Sequence, residues 1–462
     1  MEIVFNKDEN LADARLEINI SLSDIEKDLN KSLKDLRQKI NLPGFRPGMV
    51  PMGIAKKYIY EDALANILEK KIDDAMQDYF NRNDIFIFKP AIPVPTEKPV
   101  DLKNDQEFRF IFDLGILNFK ESDIQEIITG LEKYNVTPSE EDIDLEIKRI
   151  INAYSEYRQS EKVEEDEELT IYISLRELDG EGNELENGIQ KSKILKFKDL
   201  SGNLKEYLLG KDFKTDYMFK VKEIFPSTEE IQSFFEIEKE AAEDISDTFK
   251  LRILNISKMV PPEMNEDFYR KATQDKASDE AGLRDFAREM FQRRMENASK
   301  HLIEDEITKR LRNIPVNMPE KYLQKLFELE EAEKIKDLSP ESENYQSLRQ
   351  TFFNSAKWMT LIDYLVQKYG ITANVNEVAY QTYGYFDAYM RQVGIPNNDE
   401  NQINNAIVNY LKKKENYLAM EKEVFTGKII DRLMNEAELT VKEVSSNEFL
   451  ELYNHKHKDH EH

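Results

Sequence analysis

The spacing of apolar positions changes twice along this chain, from mainly helical to alternating and back to helical. Near the start, Ala14-Arg15-Leu16-Glu17-Ile18-Asn19-Ile20 alternates apolar and polar, which predicts a half-buried strand. Ile25, Leu29, Leu33, Leu36 and Ile40 then recur at helical spacing and put one apolar stripe beneath a basic face. Ser23-Asp24-Ile25-Glu26 has the Ser-x-x-Glu spacing of a capping box. A second helix is marked by Ile54, Tyr58, Leu64, Ile67, Leu68, Ile72, Met76 and Tyr79. Strands are expected at Ile85-Phe86-Ile87-Phe88 and from Glu107 to Leu114, with a proline-rich stretch over 90–99 between them. Residues 1–117 therefore read as a small α/β domain.

Beyond Pro138, Ile143, Ile147, Ile150, Ile151 and Tyr154 fall on one side of a polar helix within a linker over 118–160. The acidic run Glu164-Glu165-Asp166-Glu167-Glu168 is read as a solvated boundary. The period then alternates. Leu169 to Leu175 predicts a strand, Asp179-Gly180-Glu181-Gly182-Asn183 a turn, and Tyr217 to Phe225 and Phe249 to Ile256 further strands. The span 161–257 is expected to be a mainly β domain. From Pro261-Pro262 onward the pattern is helical, with Leu283, Phe286, Met290, Met295, Leu302, Ile303 and Ile307 in one helix. Another starts at Asn317-Met318-Pro319-Glu320, and more are expected over 346–369, 374–393 and 400–437, broken at Gly370 and at Gly394-Ile395-Pro396. This gives a helical domain over 258–444, followed by a disordered tail over 445–462. The fold class is multidomain α+β, and its outline is expected to be elongated.

Composition narrows the function classes. A chain of 462 residues is too long for one core and points to about three domains. Charged residues make up 34 % and hydrophobic ones 40 %, a balance that suits much surface per residue. The net charge of −26 and pI near 4.8 argue against general nucleic-acid binding, which needs an extended basic face, and no sequence-specific nucleic-acid partner is expected. There is no cysteine, which excludes disulfides and thiolate zinc sites. The N-terminal residues lack a signal-peptide pattern, and no window approaches about 18 apolar residues, so no membrane association and a cytoplasmic location are expected.

One place departs from the acidic background. Residues 31–60 hold seven Lys/Arg (Lys31, Lys34, Arg37, Lys39, Arg46, Lys56, Lys57) against one acid, Asp35. At the centre lies Pro43-Gly44-Phe45-Arg46-Pro47-Gly48-Met49-Val50-Pro51, a loop whose shape is set by its own Gly and Pro residues. A tip that presents one aromatic and one guanidinium is suited to recognition of an anionic partner. The residues alone also allow Phe45 to cap the small domain's core with Arg46 paired to a carboxylate. The wording Gly-Phe-Arg-x-Gly-x-x-Pro between two helices resembles the docking loop of the trigger factor family, bacterial chaperones that meet nascent chains at the ribosomal exit tunnel. The likeness extends from the first strand to about residue 440. It implies a ribosome-binding α/β domain, a small β-rich FKBP-like domain and an all-α chaperone domain. It further implies that Gly44, Phe45, Arg46, Gly48 and Pro51 dock on the large ribosomal subunit; Lys39, Lys56 and Lys57, beside the loop, are expected to steer association. Pro47 and Met49 stand where the family often has Lys, which weakens or retunes docking.

The FKBP-like domain implies peptidyl-prolyl isomerase activity, which wraps proline in an aromatic pocket without nucleophile or metal. This chain keeps Ile171-Tyr172-Ile173, the Asp179-Gly180 turn and Glu186-Asn187-Gly188. Where the family carries an aromatic after the first strand it reads Ser174-Leu175-Arg176-Glu177, and in place of Ile-Pro-Gly-Phe it reads Leu204 to Gly210. Tyr172, Phe197, Phe213 and Phe219 are left as pocket candidates, with core packing as their simpler role. Activity is expected to be weak or absent, and no catalytic residue is assigned. Gly202 to Gly210-Lys211 lacks P-loop spacing, with Asp212 where Ser or Thr is needed. His455, His457, His460 and His462 crowd the tail, His301 stands alone, and neither a metal site nor a cofactor is assigned.

Client binding is expected on the helical domain, where family members hold unfolded segments in a cradle. Trp358, Met359, Tyr383, Tyr385, Phe386, Tyr389 and Met390 are the candidates, because flexible Met and flat aromatics suit promiscuous apolar contact. In the run Tyr380 to Tyr389 the rings fall on more than one side of a helix and cannot all face one core. The expected function is an ATP-independent, ribosome-docking chaperone of nascent or unfolded polypeptides, with a homodimer away from the ribosome implied by the family. An active prolyl isomerase and a ribosome-independent chaperone or assembly factor are the alternatives.

Overall fold

The computed structural model describes residues 1–8, 12–46, 49–96, 99–213, 215–392 and 400–458. Two compact units are present, Met1–Lys133 with Lys300–Val441, and Tyr134–Ser299 with Lys442–His462. Each is built from stretches distant in sequence.

The first unit begins with β1 (Glu2–Lys7) and β2 (Asp13–Ser21), then α1 (Leu22–Lys39), α2 (Met52–Arg82), β3 (Ile92–Val94) and β4 (Glu107–Gly115). The sheet is antiparallel in the order β1-β2-β4-β3, with Leu16 opposite both Phe5 and Phe112. The alternation in β2 buries Leu16, Ile18 and Ile20, which meet Ile25, Leu29 and Leu33 of α1. Each fully buried Leu or Ile contributes about 1.5–3 kcal/mol relative to exposure. α1 starts two residues earlier than the Ser23/Glu26 spacing implies. Ser21 is its cap, and the Ser21 N–H donates to Asp24 Oδ2 at 2.9 Å. Ile54 and Tyr58 do not belong to the buried stripe of α2, which runs through Ala55, Ile59, Ala63, Leu64, Leu68, Ile72, Ala75, Met76 and Phe80. Ala55, Ala63 and Ala75 are part of this buried stripe and carry little hydrophobic signal in the sequence.

The expected strand at Ile85–Phe88 forms only an isolated bridge, Ile87 to Ile116. Its aromatic rings pack instead on helical residues of the same unit, Phe86 on Tyr364 and Phe88 on Tyr322. The helices of this unit include Glu320–Glu330, Glu343–Tyr369 and Val375–Gln392. The helix expected over 400–437 is two helices, Glu400–Leu411 and Lys414–Glu436. Gly370 ends Glu343–Tyr369 at φ 61°, a left-handed position that glycine adopts without strain. The break expected at Gly394-Ile395-Pro396 lies outside the described residues.

In the second unit, Glu140–Ala153 is capped by Ser139, and Ile147, Ile150, Ile151 and Tyr154 pack on Phe268, Tyr269 and Leu283. A sheet follows in the order Glu156–Gln159, Thr248–Val260, Leu169–Glu177, Gln190–Lys196, with Asp216–Lys220 also paired to Thr248–Val260. The strand expected over Tyr217–Phe225 stops at Lys220 and turns into the short helix Val221–Ile224. The expected disordered tail is a correction too. Ser446–Lys458 is helical, with Phe449 buried and its ring 5.9 Å from that of Tyr134. Phe449, Leu450 and Tyr453 supply the apolar positions that a charge-rich segment concealed.

Candidate functional site

The loop between α1 and α2 is held at both ends. The Ile40 N–H donates to the Leu36 carbonyl at 3.0 Å at the end of α1, and Val50 is buried against the sheet-and-helix core. Gly44 takes φ 89°, which turns the chain. The Phe45 N–H donates to the Leu42 carbonyl at 3.1 Å and the Met49 N–H to the Arg46 carbonyl at 2.9 Å. The Pro51 carbonyl accepts the Ala55 N–H at 2.9 Å and opens α2. Phe45 is 37 % exposed and Met49 72 % exposed, and Arg46, Lys39, Lys56 and Lys57 all face solvent. Among the described residues none of these four cations is in an ion pair. Among the described residues, Phe45 therefore joins no core cluster and Arg46 no carboxylate. Gly48 and Pro47 lie outside the described residues. Ile54 and Tyr58, one helical turn apart and exposed, extend the apolar surface beside the loop. In the sequence they only mark the helix, and their apolar spacing does not reveal that they face solvent.

The candidate client residues separate into two groups. Met359, Tyr385 and Tyr389 are exposed, as is Tyr380 at 80 %. Trp358, Tyr383, Phe386 and Met390 are half-buried. Trp358 packs against the core that contains Leu361 and Leu433, and the Arg312 guanidinium lies 4.5 Å from its ring. Phe386 packs edge-on against Tyr410 at 5.6 Å.

The four pocket candidates of the middle module do not converge. Tyr172 stands on the sheet face opposite Ile171 and Ile173 and is 40 % exposed, whereas Phe197 and Phe219 are core residues and Phe213 packs on that core. Tyr207 is also engaged internally, its hydroxyl donating to the Met218 carbonyl at 3.1 Å. Burial, with the neighbouring Tyr217, pushes the Tyr207 hydroxyl up to about 12. Lys211 Nζ lies 4.1 Å from the Tyr207 ring and 4.7 Å from that of Tyr217. A cleft of about 600 Å³ does exist in this unit, lined by Lys193–Lys196, Leu204, Phe225 and Phe234 among others, and none of the four candidates reaches it.

Among the described residues no group of three or more His, Asp or Glu is arranged to hold a metal ion. His301 is exposed, with Nδ1 2.9 Å from Glu304 Oε2. His460 and His462 lie outside the described residues. No described helix is long and apolar enough to cross a membrane.

A small helix-backed sheet with a shaped cationic loop, a second β-rich module and a helical C-terminal region define a multidomain α+β protein. Three family models match it in order. Residues 1–150 match "Bacterial trigger factor protein (TF)", 157–261 "Probable trigger factor, FKBP-like domain" and 300–453 "Probable trigger factor, C-terminal domain". The chain belongs to the trigger factor family. It is 23 % identical over 456 residues to the trigger factor of Bartonella bacilliformis, covering 94 % of this chain and 89 % of that one. Against the trigger factor of Helicobacter pylori strain J99 it is 25 % identical over 409 residues, covering 82 % and 84 %. A solved structure titled for promiscuous substrate recognition by the trigger factor chaperone aligns at TM-score 0.47 and 16 % identity, over 95 % of this chain and 100 % of that one.

Proposed function

We propose that this chain is an ATP-independent chaperone that docks on the large ribosomal subunit at the exit tunnel and shields nascent or unfolded polypeptides in the cytoplasm. The observation that carries this reading is the exposed Phe45–Arg46 tip on a turn set by Gly44. Phe45 supplies an apolar anchor and Arg46 a charge-assisted donor to carboxylate or phosphate. Lys39, Lys56 and Lys57, exposed and outside any described ion pair, speed encounter with an anionic surface. Gly48 and Pro51 complete the docking wording, with residues 1–117 as the docking module. Met359, Tyr385 and Tyr389, whose rings or thioether face solvent, hold client segments on the helical region, 258–444.

The middle module, 161–257, serves as a binding or spacing element without isomerase activity. This rests on Phe197 and Phe219 being core residues and on Tyr172 lying on the opposite sheet face. Self-association away from the ribosome is part of the proposal. Co-sedimentation of the full chain with ribosomes, compared with a Phe45→Ala/Arg46→Ala variant, tests the docking assignment.

A further inference from the structure

The loop between α1 and α2 displays a sulfur atom as well as a ring and a guanidinium. Met49 is the most exposed of the chain's 14 methionines, 72 % against 62 % for Met218. Val50 is buried directly after it, and Met52, just beyond, packs on the sheet-and-helix core. The chain turns inward there, so one thioether of this segment stands in water and the other is shielded. The chain has no cysteine, so oxidation of sulfur falls on its thioethers.

The Met49 N–H donates to the Arg46 carbonyl at 2.9 Å. An i, i+3 main-chain bond of this kind brings the two Cα atoms within about 7 Å. An exposed guanidinium, in no ion pair among the described residues, therefore stands beside an exposed thioether. A thioether is a weak acceptor and leaves the N–H donors of Arg46 to a partner. A sulfoxide is polar, and its oxygen is an acceptor that a neighbouring guanidinium can reach.

The geometry points to Met49 as an oxidative modification site that switches the loop: its sulfoxide accepts from the Arg46 guanidinium and withdraws that cation from an anionic partner. The oxidant is a peroxide. The thioether lone pair attacks one peroxide oxygen, the O–O bond breaks, an S–O bond forms and water leaves. Sulfur loses two electrons and the peroxide gains them. A methionine sulfoxide reductase, with a dithiol as reductant, reverses the step. The sulfoxide also removes apolar surface from the tip that carries Phe45. This switch rests on docking through Phe45 and Arg46.

The full chain is treated with hydrogen peroxide for increasing times, freed of peroxide, mapped by peptide mass spectrometry and pelleted with ribosomes at low salt. Met49 is expected to gain its oxygen first, ahead of Met218 and Met359 and several-fold faster than Met52 and Met76. Docking is expected to weaken about tenfold in step with that modification. It returns after treatment with the reductases for the two sulfoxide epimers and dithiothreitol. Met49→Leu, compared with itself before and after peroxide, is expected to show no change. Oxidation of Met49 no faster than that of Met52, docking unchanged once Met49 is oxidised, or an equal loss in Met49→Leu would overturn the proposal. Failure of the reduced parent to pellet would overturn the docking reading itself, and the switch with it.

Discussion

The Asp13 carboxylate accepts the Tyr322 main-chain N–H at 2.8 Å, joining residues 309 positions apart. Asp13, the first residue of β2, thus caps helix Glu320–Glu330 by accepting the Lys321 and Tyr322 N–H groups, and the Tyr322 hydroxyl donates to the Pro90 carbonyl at 2.7 Å. Asp13→Ala leaves two N–H groups at the helix start without this acceptor and is expected to cost about 1–2 kcal/mol. Gly115→Ala is expected to cost about 1–3 kcal/mol by overpacking, because an added Cβ would lie 2.6 Å from Tyr322 Cδ1 and 2.7 Å from Pro319 Cγ. Urea unfolding followed by circular dichroism measures both. No change in either midpoint would contradict this packing.

The neighbouring Asp113 gives a pH signature. Burial raises its carboxyl, but hydrogen bonds and charge from Lys325 at 2.9 Å and Arg15 at 2.8 Å outweigh that and hold it below the ordinary 3.8. A carboxylate depressed in the folded state stabilises above its unfolded value and loses that contribution as pH falls through the folded value. Asp113→Asn is therefore expected to destabilise at neutral pH and to approach the parent below about pH 4. A difference independent of pH would remove the ion pairs from the account.

These relationships mark the limit of what the sequence reveals. The period of Leu16, Ile18 and Ile20, and the stripe Ile25-Leu29-Leu33, are local, so the sheet and first helix are legible. The loop between α1 and α2 is legible because Gly44 and Pro51 set its shape through their own backbone preferences. Ile85–Phe88 alternates like a strand, yet Tyr364 and Tyr322, hundreds of residues away, claim its aromatics. Ile54 and Tyr58 keep helical phase with real core residues and still face water. The helix Ser446–Lys458 is hidden by its charge, since Phe449 alone does most of its burial.

The middle module is expected to give no prolyl isomerisation above the spontaneous rate in a protease-coupled assay on an Xaa-Pro peptide. The four pocket candidates are spent elsewhere, Phe197, Phe213 and Phe219 in or on the core and Tyr172 on the outer sheet face. A rate typical of FKBP enzymes, lost on substitution of Leu204 or Phe225 at the cleft, would reverse that assignment.

Tyr385 and Tyr389 sit one helical turn apart and exposed. Replacing both by Ser is expected to leave the unfolding free energy within about 0.5 kcal/mol of the parent. The same variant should suppress the aggregation of an unfolded protein less well, read by light scattering. Full suppression by the double variant would remove this helix from the client surface.

Co-sedimentation with ribosomes at rising salt tests docking through the Phe45–Arg46 tip. The parent chain is expected in the ribosomal pellet at low salt and to be released as salt screens Arg46, Lys39, Lys56 and Lys57. The Phe45→Ala/Arg46→Ala variant, folded by circular dichroism, is expected in the supernatant throughout. A variant that pellets like the parent would contradict docking through this loop.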